Sequence, residues 1–189
     1  MTRTQQVDTA PDQRTRTYSW PDPGPALAAL GRRPGVDILT AMLAGELPPP
    51  PVLATLGIEA EVFEVGRAVF SLVPDEMHYN PLGSVHGGVV ATLLDCATGC
   101  AVQSVLPPGL GYTTLDLTTK YLRPVTLRTG RVTVEGQVLS RGARTALAEA
   151  RLSDAGGRLL AYATSTCLLF PVDVPAERAA ATSLAMPAS

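Results

Sequence analysis

Several things are scarce in this chain of 189 residues. The formal charge is -2, from 15 basic and 17 acidic residues. No basic stripe exists of the kind that phosphate neutralisation requires, which excludes a nucleic-acid binder. Three cysteines, an odd number, make no disulfide framework. The N-terminus lacks a charged-then-apolar leader pattern, so a reduced, cytoplasmic protein is expected. With two histidines in all, and with Cys96 and Cys100 set beyond them on an apolar segment, metal binding is not expected. Only Val89 to Leu106 approaches the length of a membrane span, and it holds Thr92, Asp95, Thr98, Gln103 and Ser104. A carboxylate in lipid is costly, so no membrane insertion is expected and the segment reads as a buried helix.

What is present is a chain that is 46% hydrophobic and long enough to bury a full core. Met1 to about Pro25 mixes Thr, Arg, Gln, Asp and Pro without periodicity and is expected to be mobile. Apolar residues at helical spacing predict a short amphipathic helix over Val36–Leu47, packed on the domain as a lid or flank and stopped by Pro48-Pro49-Pro50-Pro51. Alternation from Leu56 to Val65, a turn at Gly66-Arg67, and a return over Ala68–Val73 predict a hairpin. After the long helix come strand-like runs over Tyr112–Leu122, Thr129–Leu139, Thr145–Leu152 and Leu159–Phe170, with turn chemistry between them. Consecutive hairpins imply an antiparallel sheet, and a helix that is apolar on nearly every face must be surrounded. The expected fold class is therefore α+β, a curved antiparallel sheet wrapped around one long central helix, with one sheet edge free to pair with a second copy. The expected domain plan is an extension over 1–50, the globular domain over 51–170 and a loose tail over 171–189.

The chemistry centres on one stretch. A loop of turn formers, from His78 to Gly88, delivers His86-Gly87-Gly88 to the start of the apolar helix, and that helix carries one carboxylate, Asp95. An ionised carboxylate among Leu93, Leu94 and Ala97 is expensive unless partnered, so Asp95 is either a structural group bonded to a neighbouring strand or a catalytic one. The spacing of Thr92, Asp95 and Thr98 suggests a narrow polar seam along one face. Gly87 and Gly88 stand where backbone N–H groups lack helical partners and the dipole favours negative charge. Glycine there either permits a tight turn or lets a carbonyl approach an N–H that stabilises an oxyanion. His86 is a candidate base, metal ligand or loop-shaping group. Ser84 beside it invites a Ser-His-Asp triad, but no Gly-x-Ser-x-Gly elbow surrounds it. Eight positions separate Gly87 from Asp95, about 12 Å at helical rise. If both act on one carbonyl, they belong to different subunits.

Taken together, Asn80, Gly83-x-x-His86-Gly87-Gly88, Leu93-Leu94-Asp95, Thr113-Thr114-Leu115-Asp116-Leu117 and Tyr121-Leu122-Arg123-Pro124 resemble the hotdog-fold acyl-CoA thioesterases of the phenylacetate-pathway and thioesterase-superfamily-2 type. The resemblance covers roughly residues 51–170. It implies that Asp95 activates water or attacks the thioester, and that the Gly87 N–H meets the carbonyl while His86 fixes the loop. It further implies that Asn80 orients water or carbonyl and that Thr114 assists the nucleophile. It implies an acyl-CoA substrate, a homodimer often paired again into a tetramer, and no metal or redox cofactor. Gly88 is expected to border the same substrate site. Arg123, Arg141 and Arg144, at strand ends and turns, are candidate partners for the CoA phosphates or simply solvated charges. A hotdog enoyl-CoA hydratase and a non-catalytic acyl-CoA or lipid-binding module are the alternative functions.

Overall fold

The computed structural model describes residues 14–172. The tail from residue 173 and the first thirteen residues lie outside it.

The N-terminal segment forms more structure than its composition suggests. Two helices precede Pro51, α1 (Gly24–Ala29) and α2 (Gly35–Leu43), and a third, α3 (Pro51–Leu56), follows directly. The expected lid helix is α2, shorter than expected because Gly45 takes a left-handed φ of 77° just past its end. The tetraproline run ends nothing by itself. Pro51 occupies the first position of α3, where its missing N–H costs nothing, and Gly57 at φ 68° closes that helix. Helix α2 is seated on the C-terminal end of the long helix. The Gly35 N–H donates to Leu106 O at 2.9 Å, and a Cβ on Gly35 would lie 1.7 Å from Gln103 O, so only glycine permits the approach. Even the irregular stretch before α1 is tied down, since Arg16 donates to the carbonyls of Thr55 and Ala54 at 2.8 and 3.3 Å.

The hairpin expected after it is β1 (Ile58–Glu64) and β2 (Arg67–Leu72). The long helix is α4 (Gly87–Ser104), and the four strands that follow are β3 (Leu110–Tyr121), β4 (Val132–Arg141), β5 (Thr145–Asp154) and β6 (Leu159–Pro171). All pair antiparallel in one six-stranded sheet of order β1-β2-β4-β5-β6-β3. The start of β4 moves from the expected Thr129 to Val132, because residues 127–129 form a 3-10 turn whose Thr129 hydroxyl accepts the Thr126 N–H.

Helix α4 touches all six strands, as a hotdog arrangement demands. Its inward residues Val90, Leu93, Leu94, Ala97 and Ala101 meet Phe70, Leu72, Val134, Ala150, Leu152 and Ala163 in one core. The helix approaches the sheet most closely at Gly136, where a Cβ would stand 2.2 Å from Ala97 O. The two sheet edges differ. Strand β1 is flanked by α2 and α3, whereas among the described residues β3 pairs only with β6, and it exposes Leu115 and Tyr121 by more than half. Among the described residues, no helix is long and apolar enough to cross a membrane.

Candidate active site

The loop before α4 is held by its own side chains. Asn80 Oδ1 accepts the Leu82 N–H at 2.9 Å and the Ser84 N–H at 3.3 Å, and its Nδ2 donates to Ser84 Oγ at 3.1 Å. Gly83, at φ 77°, makes the reversal inside this turn. His86 is the N-cap residue of α4: its Nδ1 accepts the Gly88 N–H at 2.9 Å, and its own N–H donates to His78 O at 2.7 Å. Of the three roles open to His86, the structure therefore supports the loop-shaping one. The same bonds dismantle the triad, since Ser84 faces Asn80 and His86 faces Gly88.

Capping Gly88 leaves the Gly87 N–H, the first of the helix, with no partner among the described residues. Gly87 O accepts the hydroxyl of Tyr121 at 2.9 Å, which anchors the helix start to the end of β3. Around this point lies a cleft of about 330 Å³ that brings together Asn80, Gly87, Tyr121 and Arg123. Arg123 donates to Leu159 O at 2.6 Å. Sequence reasoning assigned no role to Tyr121, although the residue sat within the Tyr121-Leu122-Arg123-Pro124 motif.

Asp95 and Thr114 do not line that cleft. They form a second centre two turns along the helix. The Thr114 hydroxyl donates to Asp95 Oδ1 at 2.9 Å, and a register shift in the β3–β6 ladder between Thr114 and Asp116 sets a bulge at this point. The expected threonine seam is not what serves the carboxylate. Thr92 and Thr98 turn their hydroxyls back to the carbonyls of Gly88 and Leu94 on their own helix. The bond to a neighbouring strand fits a structural carboxylate as well as a reactive one, and leaves Oδ2 without a partner among the described residues.

The surroundings of Asp95 are poorly solvated. Burial pushes the Cys96 thiol up to about 12, with the Asp95 charge adding to the effect, and burial likewise raises Cys100 and Tyr112. Cys167 is fully buried, as a small core residue should be, but Cys96 and Cys100 are half-buried and face a cavity. Arg141 and Arg144 lie exposed in the β4–β5 turn, away from the Gly87 cleft. The Arg144 carbonyl accepts the Leu169 N–H, which places this turn level with Tyr112, near the Asp95 end of β3.

A central helix that enters a six-stranded antiparallel sheet through a capped glycine loop, with one carboxylate bonded to the edge strand, defines a hotdog fold. The family model described as the thioesterase superfamily matches residues 82–161. A phenylacetic acid degradation-related protein from Ralstonia eutropha JMP134 is 32% identical. The match covers 68% of this chain and 97% of that one, with a TM-score of 0.63. The 1,4-dihydroxy-2-naphthoyl-CoA hydrolase of Listeria monocytogenes is 28% identical over 112 residues, 59% of this chain and 89% of its own length. A thioesterase family protein from Silicibacter pomeroyi, 24% identical, has the same fold, with a TM-score of 0.64 over 70% of this chain and 98% of its own. The chain belongs to the thioesterase superfamily.

Proposed function

We propose that this protein hydrolyses acyl-CoA thioesters at two equivalent sites, each completed by residues of two subunits. The observation that carries the proposal is the division of the candidate residues. Gly87, with its unpartnered N–H, Asn80 and Arg123 share one cleft, while Asp95 and Thr114 form a separate centre about 12 Å along α4. One chain cannot bring both to one carbonyl.

Strand β3 suggests how a second chain supplies the missing half. Along β3, Thr114 marks the Asp95 centre and Tyr121 marks the Gly87 cleft. If two copies pair antiparallel through their free β3 edges about a two-fold axis near Leu117 and Thr118, Thr114 of one chain comes opposite Tyr121 of the partner subunit. The Asp95 of the first chain then faces the Gly87 loop of the second. An exposed strand with a leucine on its open side is the kind of edge that pairs. Assembly of such dimers into a tetramer belongs to the same proposal.

In the mechanism, the thioester carbonyl lies against the Gly87 N–H at the positive end of α4, and the tetrahedral oxyanion forms there. Asp95, held by Thr114, takes a proton from water attacking that carbon, or attacks the carbon itself. CoA thiolate leaves in either case, and after direct attack water cleaves the acyl-Asp95 anhydride to release the acid and restore the carboxylate. Asn80 braces the loop that presents Gly87, and Gly88 leaves the approach to it free of a side chain. Arg123 at the cleft rim meets CoA phosphate, with Arg141 and Arg144 as further cationic contacts near the Asp95 end. Neither imidazole meets a carboxylate among the described residues, which weighs against a hydratase built on a His-acid pair.

Steady-state kinetics on Asp95→Asn test the assignment. A lost general base lowers kcat by about 10²- to 10⁴-fold and leaves KM within a few-fold. Hydrolysis at the parent rate on every acyl-CoA that the parent cleaves would show that Asp95 is structural.

A further inference from the structure

We infer that the N-terminal helices roof an acyl chamber that selects a straight, medium-length aliphatic chain, with Gln103 as its end-stop; the inference deepens the acyl-CoA assignment and rests on it. A cavity of about 530 Å³ lies between the N-terminal helices and the body of the fold. Its floor includes Phe63, Phe70 and Tyr112, one wall is the Cys96-Cys100-Gln103 face of α4, and its roof is Leu27, Leu39, Met42 and the tetraproline run. No charged residue lines it. The thiols of Cys96 and Cys100 stay protonated because burial raises both.

The chamber begins where the chemistry ends. Cys96 follows Asp95 on the helix, and Tyr112 precedes Thr114 by two positions on β3, so it lies on the same strand face. An acyl group attached to a carbonyl at Asp95 thus enters the chamber along α4. Its far end is Gln103, whose side chain has no hydrogen-bond partner among the described residues although the residue is only 6% exposed. No side-chain nitrogen or oxygen among those residues is both sealed from solvent and unpartnered, so the surface left to the amide is the chamber itself.

The amide limits the chain by chemistry. Hydrocarbon pressed against an unpartnered amide strips its water and offers no hydrogen bond in exchange. Asp95 and Gln103 are eight residues apart, about 12 Å of helix. An extended chain advances about 1.2 Å per bond, so about eight to ten carbons reach the amide without covering it. The roof residues Leu27, Leu39 and Met42 lie in the extension before residue 51, so the extension closes a chamber whose floor and wall belong to the sheet and α4.

The test is the kcat/KM profile of the full-length protein on straight-chain acyl-CoAs from acetyl to palmitoyl, followed by thiol release. The wild type should peak at about eight to ten carbons, each two methylenes withheld from the chamber costing roughly tenfold. Met42→Trp, which fills the roof, should move the peak to shorter chains, and Gln103→Leu, which removes the amide, to longer ones. Both variants are first shown to melt cooperatively near the wild-type temperature. An unmoved peak in both folded variants, or a wild-type peak at acetyl, overturns the chamber. Should the wild type cleave neither these esters nor an aryl-CoA, the acyl-CoA assignment falls, and decanoate binding measured by calorimetry decides the chamber alone. Binding that weakens about tenfold in Met42→Trp supports it, and absence of binding to the wild type refutes it.

Discussion

The proposed chemistry turns on a single carboxylate on an apolar helix. Asp95 is half-buried beside groups whose pKa values rise through burial, Cys96 to about 12 and Tyr112 well above its usual value. Its hydroxyl partner Thr114 comes from another element, at a bulge that aims the side chain. A hydrogen bond to a charged acceptor is worth about 1.5 to 3 kcal/mol. Thr114→Val therefore should lower kcat roughly ten- to a hundredfold with KM little changed, as single-turnover kinetics would reveal. Equal losses in binding and none in the chemical step would assign Thr114 to structure. His86 works differently. Its ring is spent on the Gly88 N–H, which leaves the N–H of Gly87, a residue lining the cleft, as the donor the proposal uses.

The element that positions these residues is α4, and it can lie where it does because β4 carries Gly136. A Cβ there would meet Ala97 O at 2.2 Å, and backbone cannot yield as a side chain can. Gly136→Ala is expected to cost about 1 to 3 kcal/mol through forced displacement of the helix, read as a lower urea midpoint, and to disturb the Asp95–Thr114 pair with it. The helix itself was plain in the sequence, because eighteen residues apolar on almost every side have few other fates. The six strands were equally plain from alternation and turn residues, with ends displaced by two or three positions where backbone hydrogen bonding decided. The partner of Asp95 was not legible by spacing: Thr92 and Thr98 stand closer in sequence, but each satisfies its hydroxyl on its own helix. The resemblance to the hotdog thioesterases pointed to Thr114, which pairing of distant elements brings to the carboxylate. Helices α1 and α3 escaped notice because each is six residues long and proline-bearing, so no apolar period can register, and the four prolines read as an end rather than a beginning. Nor did any local pattern announce the cavity beneath them, whose lining comes from segments far apart in the chain.

At the scale of the whole molecule, the proposed function divides each of two sites between two chains. Gly87 and Asp95 face separate regions, and the edge strand β3 carries a residue of each, Tyr121 and Thr114, bonded to them. In the proposed dimer, the β3 edge that pairs is thus also what aligns one chain's carboxylate with the partner's loop. Strand β1, at the opposite edge, is flanked by α2 and α3, so the extension contributes to both the proposed acyl chamber and the choice of pairing edge. The most direct measurement is activity in hybrid dimers of Asp95→Asn with Gly87→Val, whose added side chain would crowd the Tyr121 hydroxyl 3.3 Å from the Gly87 Cβ position. Each variant alone should be nearly inactive. After verified subunit exchange, half the dimers are hybrids with one intact site of two, so activity should recover to about a quarter of wild type, as two-fold symmetry requires. Activity that stays at the level of the separate variants despite exchange would contradict a site shared between subunits.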